Sequence, residues 1–202
     1  MNISLEDTKT AFAYKNNKEL KRAKFLFSSM GKAWLVRLGL KFTPLALKIG
    51  LPVKGLIKKT IFKQFVGGET LQETSFVAEK LGNYNVRVIL DYGVEGKAGE
   101  ENFDNATSEF IKVIQYAATQ PNIPFISVKL TGFSRFELLQ KIDAASVYEH
   151  IIQGKIPVEI LDADEKAEWE RVVSRLQKIC RIAEETKVGV LIDAEESWIQ
   201  DP

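Results

Sequence analysis

The sequence predicts an α/β protein of the (β/α)8 barrel type, with about four β/α units present behind an N-terminal helical arm. Three observations carry this. From residue 61 onward, strand-like and helix-like segments alternate, which indicates parallel strands joined by helical crossovers. Three apolar runs, VRVILDYGVEG (86–96), FISVKLTGF (125–133) and VGVLIDAEES (188–197), are apolar first and charged last. Charge at successive strand ends suits the rim where a β/α barrel builds its active site. A doubly wound sheet is the other architecture that fits the alternation, but no G-x-G-x-x-G follows any strand, and Gly67-Gly68-Glu69 is not that fingerprint.

A full barrel takes eight units in roughly 250 residues, and this chain has 202. It is expected to be half of a barrel or a fragment, with two open sheet edges and an apolar sheet face to cover. The expected division is an arm over 1–60 and a partial barrel over 61–202. A formal net charge of +1 gives no reason to expect a nucleic-acid partner. The single cysteine, Cys180, excludes an internal disulfide framework and a multi-cysteine zinc site; it is expected on the packed face of a helix. His150 has no companion ligand pattern and reads as surface or loop. MNISLEDTKTAF carries acids and no apolar core, so it is not a secretory signal.

In chain order, residues 4–30 read as polar helix. From Lys21 to Gly68 there is no Asp or Glu. Within that block WLVRLGLKFTPLALKIGLPVKGLI (34–57) is apolar with Arg37, Lys41, Lys48 and Lys54 interspersed. On a helical wheel Arg37, Lys41 and Lys48 fall within roughly 40° of one another, although Thr43-Pro44 is expected to interrupt the helix. The block reads as an arm for a membrane surface or a partner, or as a helical cap on the main domain. No run approaches the ~18 apolar residues that span a bilayer.

IFKQFVGG (61–68) reads as a strand ending in a Gly-Gly turn. Thr70 and Glu73 form a capping box for a helix to about Leu81. After the strand at 86–93, acids at Glu100, Glu101 and Asp104 open a helix over 101–119, with Phe103, Ala106, Phe110, Val113, Ile114 and Ala117 on one side. The strand 125–132 follows Pro121 and Pro124. Ser134 and Glu137 suggest a second capping box, residues 144–161 an irregular insertion, and Asp162 the cap of a helix to about Glu185. The strand 188–195 closes the series.

Alternation along the strands puts Ser127, Lys129 and Thr131 on one side, Asp193 and Glu195 on one side, and Asp91 with Gly93 on one side. A barrel would turn Asp91, Lys129, Asp193 and Glu195 toward one pocket, with Glu196 facing away. A lone lysine near a strand end must be paired. Among carboxylates it suits an anionic substrate group held against a counter-charge. Trp198 reads as packing. These residues by themselves leave a metal-dependent lyase and an oxidoreductase both open.

LDYGVEG (90–96), ISVKLTGF (126–133) and LIDAEESW (191–198), in that order, resemble the proline dehydrogenase family, with QFVGGET (64–70) similar to its first strand and turn. The resemblance implies a flavin-dependent barrel that oxidises L-proline to 1-pyrroline-5-carboxylate, passing a hydride to FAD and electrons to a quinone. By it, Lys129 pairs with the proline carboxylate, Asp193 is the catalytic-site carboxylate, Ala194 contacts FAD through its backbone and Asp91 lines the substrate pocket. No metal is implied. The family's later strands carry arginines that contact flavin and substrate, so this chain alone is expected to bind FAD poorly and turn over no proline. The expected location is cytoplasmic, peripheral on the inner membrane face (the mitochondrial inner membrane in a eukaryote), with the basic arm as the contact. Two rivals remain: a lyase holding a divalent cation on Asp91, Asp193 and Glu195, and a non-catalytic half-barrel for membrane binding or assembly.

Overall fold

A computed structural model describes residues 6–93, 98–143, 157–200 and 202. The chain divides into two compact units, Met1–Val86 and Arg87–Pro202.

The described part of the first unit is helical. It contains α1 (Thr8–Ala11), α2 (Asn17–Met30), α3 (Ala33–Lys48), α4 (Val53–Ile57), a π turn at Lys58–Phe62 running into α5 (Lys63–Phe65), and α6 (Leu71–Gly82). Asn16 caps α2 by accepting from the Lys18 and Glu19 amides, and the Glu19 carboxylate returns to the Asn16 N–H. At α6 the Thr70 hydroxyl accepts from Glu73 N at 3.1 Å. The Glu73 carboxylate, however, takes the Glu69 amide at 2.9 Å, so the expected box closes one residue early.

Two expectations fail in this unit. The run 61–68 is helical through Phe65 rather than a strand. Ile61, Phe62 and Phe65 recur at helical spacing, and periodicity cannot assign so short an apolar run. Its packing decides the matter: the Phe65 ring meets Phe27 of α2 edge-on, with centroids 5.8 Å apart. Pro44 does not interrupt the helix either, and lies inside α3. Proline deprives the Leu40 carbonyl of its i+4 donor, but Leu40 and Pro44 are both exposed, so solvent reaches that carbonyl.

The second unit is built in the expected alternation: β1 (Ile89–Asp91), α7 (Glu100–Ala117), β2 (Phe125–Val128), a 3-10 turn (Leu130–Gly132), α8 (Phe136–Asp143), a 3-10 turn (Pro157–Ile160), α9 (Ala163–Thr186) and β3 (Gly189–Ile192). The strands form a parallel sheet in the order β1-β2-β3. Ile89 pairs with Phe125 and Phe125 with Gly189; Asp91 pairs with Ser127 and Ser127 with Leu191. The described residues thus form a mostly helical α/β protein with a three-stranded parallel sheet, where four units were expected. Each strand is shorter than its apolar run: β1 begins only at Ile89 and includes Asp91, while Lys129 and Asp193 follow the last residues of β2 and β3.

One face of the sheet carries the core. Leu90, Ile126 and Val128 are buried beneath α7 and α9, which pack on each other and on the sheet. All six apolar residues expected on the inner side of α7 are buried. The Phe110 ring sits between Tyr92 and Phe133, at centroid distances of 5.8 and 5.3 Å. The other face is open: Ile89, Phe125 and Leu191 are exposed. Phe125 lies across Gly189 so closely that a Cβ there would stand 2.3 Å from the ring.

The 24-residue α9 starts at a complete Asp162–Glu165 capping box and ends at Lys187 in the left-handed region, φ 61°. The box matches the sequence reading; the apolar stripe matches it in part. Val172, Ile179 and Ala183 are buried, but Cys180 is exposed, and so is Trp198. Both were expected to pack. The buried line of α9 passes through Arg175 instead, rotating Cys180 outward. Of the expected insertion, residues 157–161 are described; Val158, Ile160 and Leu161 cluster with Leu138, Ile142 and Trp169. His150 lies outside the described residues.

Candidate functional site

The sheet places three of the singled-out residues at one end and on one face. Asp91 sits opposite Ser127, and Ser127 opposite Leu191. Paired residues of a parallel sheet share a face, and so do residues two apart. Lys129 and Asp193 therefore continue the face that holds Asp91, the side turned away from α7 and α9. The Asp193 amide donates to the Val128 carbonyl at 2.9 Å, which carries the ladder one residue past β3. The Lys129 ammonium then lies 3.8 Å from Asp193 Oδ2. The two side chains are 29% and 47% exposed, so water screens the pair and it contributes under about 1 kcal/mol to stability.

Asp193 also shapes the backbone that follows it. Its Oδ1 accepts the Ala194 N–H at 3.0 Å. The Ala194 amide proton is thus engaged within the chain, and the residue itself is exposed.

Beyond the strand ends lies an open hollow of about 590 Å³, lined by Lys129, Thr131, Phe103, Arg135, Glu195 and Glu196 among others. The Thr131 hydroxyl and amide both donate to Glu195 Oε1, at 2.8 and 3.3 Å. This ties the loop after β2 to the loop after β3. Glu196 borders the same hollow, against the expectation from alternation. Alternation holds only within a strand, and β3 stops at Ile192.

Three arginines escaped the sequence reading, Arg135 at the hollow and Arg171 and Arg175 in a network beside it. Arg135 Nε donates to both carboxylate oxygens of Glu168 at 2.9 Å, and this hydrogen bonding pushes the guanidinium pKa up. Arg175 is 5% exposed. Its Nε donates to Asp104 Oδ1 at 2.8 Å, Nη1 to the Phe133 carbonyl at 3.1 Å, and Nη2 to Glu100. It joins α7, α9 and the turn that follows Lys129. Arg171 completes the network on Glu100 at 3.0 Å. The hydrogen bond from Arg171, and then that from Arg175, hold the Glu100 carboxyl below its usual pKa. The one available signal was spacing: Arg175 falls three residues after Val172 and four before Ile179, on the buried stripe.

Among the described residues no three His, Cys, Asp or Glu side chains are grouped to hold a metal ion.

Fold and site together define an α/β protein whose parallel strands end beside one lysine and several acids. Residues 76–202 match the family model described as proline dehydrogenase. Proline dehydrogenase 1, mitochondrial, of Dictyostelium discoideum is 30% identical over 186 residues, covering 79% of this chain and 32% of that protein. The Caenorhabditis elegans protein of the same name is 36% identical over 123 residues, 60% of this chain and 20% of that one. The carbapenem antibiotics biosynthesis protein CarD of Pectobacterium carotovorum subsp. carotovorum is 28% identical over 136 residues, 67% and 33%. The chain belongs to the proline dehydrogenase family. It spans about a third or less of the length of these relatives.

Proposed function

We propose that this chain contributes the Lys129–Asp193 part of the active site of an FAD-dependent enzyme that oxidises L-proline to 1-pyrroline-5-carboxylate. The observation that carries the reading is the 3.8 Å approach of Lys129 to Asp193 at adjacent strand ends, in a chain of this family. Proline is a zwitterion. A cation and an anion side by side, both reached by water, offer one partner to each of its charges. Because the protein pair is screened and loose, exchanging it for substrate contacts costs little.

Lys129 is the group for the substrate carboxylate, and Asp91, on the same face, borders the ring. Oxidation removes a proton from the ring nitrogen and a hydride from the adjacent ring carbon. Asp193 orients Lys129 and gives the nitrogen proton a carboxylate acceptor. FAD, when bound, would supply the two-electron acceptor, with a quinone as the expected final acceptor. The exposed Ala194 peptide, with a side chain of one carbon, and the flat apolar face formed by Phe125 and Leu191 fit a planar flavin ring. The three strands are read as part of a β/α barrel whose inner face is the open one. A quinone acceptor would bring the enzyme to a membrane surface, the mitochondrial inner membrane in a eukaryote. No helix among the described residues is long and apolar enough to cross a membrane.

The test is proline-dependent dye reduction by a flavin-loaded enzyme in which this chain is joined to the remaining strands of the barrel. Lys129→Met is expected to raise KM for proline about tenfold to a hundredfold, the worth of one charged hydrogen bond, at unchanged flavin content. An unchanged KM overturns the assignment.

A further inference from the structure

Lys129 and Asp193 do little to hold each other in place. Their charged atoms stand 3.8 Å apart and both side chains are partly exposed, so water screens the attraction. The ammonium also ends a flexible four-carbon stem. A pair this loose keeps its geometry only if the backbone on either side of it is fixed.

That backbone is tied at two points. Before the pair, the Asp193 amide donates to the Val128 carbonyl at 2.9 Å. Beyond it, the Thr131 hydroxyl and amide donate to Glu195 Oε1 at 2.8 and 3.3 Å. Thr131 and Glu195 each stand two residues past the pair member on their own loop. The hold reaches Lys129 through the 3-10 turn that follows it. There the Gly132 amide donates to the Lys129 carbonyl at 3.1 Å, and the Phe133 amide to that of Leu130 at 3.0 Å. Glu195 is fixed in turn, because its own amide donates to Gln200 Oε1 at 3.1 Å. Thr131 and Glu195 are both half-buried, whereas Asp193 is exposed, so water competes less for this bond than for the ion pair. One carboxylate oxygen that takes two donors from a single residue is held in direction as well as in distance.

We infer that Thr131 and Glu195 are positioning residues for the Lys129–Asp193 pair. Their bond holds the turn that carries Lys129 at the distance from Asp193 where one amino acid zwitterion meets both charges. The role rests on the proposed reading of Lys129 and Asp193, and it gives neither Thr131 nor Glu195 a contact with substrate. Without the tie the lysine charge remains but spreads over more positions. Substrate then binds less well, although the group that binds it is still present.

The tie is tested first without flavin or proline. A water-soluble carbodiimide joins an ammonium to a neighbouring carboxylate with no spacer, and peptide mass spectrometry measures the Lys129–Asp193 cross-link in the 202-residue chain. Thr131→Val removes the hydroxyl and should lower the yield about threefold, the loss of one modest hydrogen bond. Thr131→Ser keeps the donor and should restore it. Glu195→Ala breaks the same bond from the other loop and should lower the yield as Thr131→Val does; circular dichroism checks that each variant folds. In the flavin-loaded enzyme with the remaining barrel strands, Thr131→Val should raise KM for proline about threefold to tenfold, part of the Lys129→Met effect, with kcat within about twofold and flavin content unchanged. Thr131→Ser should recover the lower KM. A cross-link yield that both Thr131→Val and Glu195→Ala leave unchanged overturns the positioning role, whatever the enzyme does with proline. So does a lowered yield with an unchanged KM, in an enzyme whose KM responds to Lys129→Met. An enzyme whose KM ignores Lys129→Met strikes the proline reading instead, and the cross-link alone then decides whether Thr131 and Glu195 hold the pair.

Discussion

Asp193 divides one carboxylate between two tasks, Oδ1 to the Ala194 N–H and Oδ2 toward Lys129. Two substitutions separate them. Asp193→Asn keeps an oxygen for the turn and removes the charge, so urea-unfolding stability should move by less than about 0.5 kcal/mol, while proline turnover by the flavin-loaded enzyme with the remaining barrel strands falls. Asp193→Ala removes both and should cost about 1 kcal/mol in the same assay. Arg175 contrasts with Lys129. The lysine is loosely paired at an open site; the arginine is buried with three acceptors. Arg175→Met leaves the Phe133 carbonyl and Asp104 without this donor and Glu100 with Arg171 alone. Because Glu100 and Asp104 keep 42% and 69% exposure, water recovers part of the loss, and we expect a destabilisation of about 2–3 kcal/mol by urea unfolding.

At the scale of elements, caps and close contacts give sharper tests than propensity. Asp162→Ala breaks the box at the start of α9 and should lower stability by about 1 kcal/mol. Gly189→Ala drives a methyl into the Phe125 ring and should cost about 1–3 kcal/mol; adding Phe125→Leu should return most of it. The same elements show what the sequence could reveal. Long amphipathic helices were legible, because α7 and α9 each carry an apolar stripe and an acidic start. The three strands were legible as apolar runs closing on a charge, and their parallel order follows from the helices between them. Lys129 and Asp193 could be paired in advance because alternation fixes which side each faces. The run at 61–68 was not legible, since eight apolar-rich residues suit either period and Phe27 decides. Arg175 was hidden for a different reason: a buried charge depends on acceptors distant in sequence. Glu196 was misjudged because alternation was extended past the end of β3.

For the second unit as a whole, acid is the informative variable. The Glu100 carboxyl titrates below the usual carboxylate range through its bonds to Arg171 and Arg175, and Glu165 does so through Lys141 and the Asp162 amide. A carboxyl whose folded-state pKa is depressed contributes stability above its unfolded pKa and loses it as pH falls through the folded value. The arginines stay charged throughout. The urea midpoint should therefore hold from about pH 7 to about pH 5 and fall below about pH 4.5, and Glu100→Gln should flatten that fall. A midpoint that rises on acidification would contradict the network. The sheet carries one more consequence. Its strands lie side by side in the order in which they occur along the chain. Each therefore meets a neighbour already made as the chain emerges from the ribosome, and β2 can settle on β1 before a residue of β3 exists. A layout of this kind is laid down like courses of brick, with no late segment required to thread between two earlier ones.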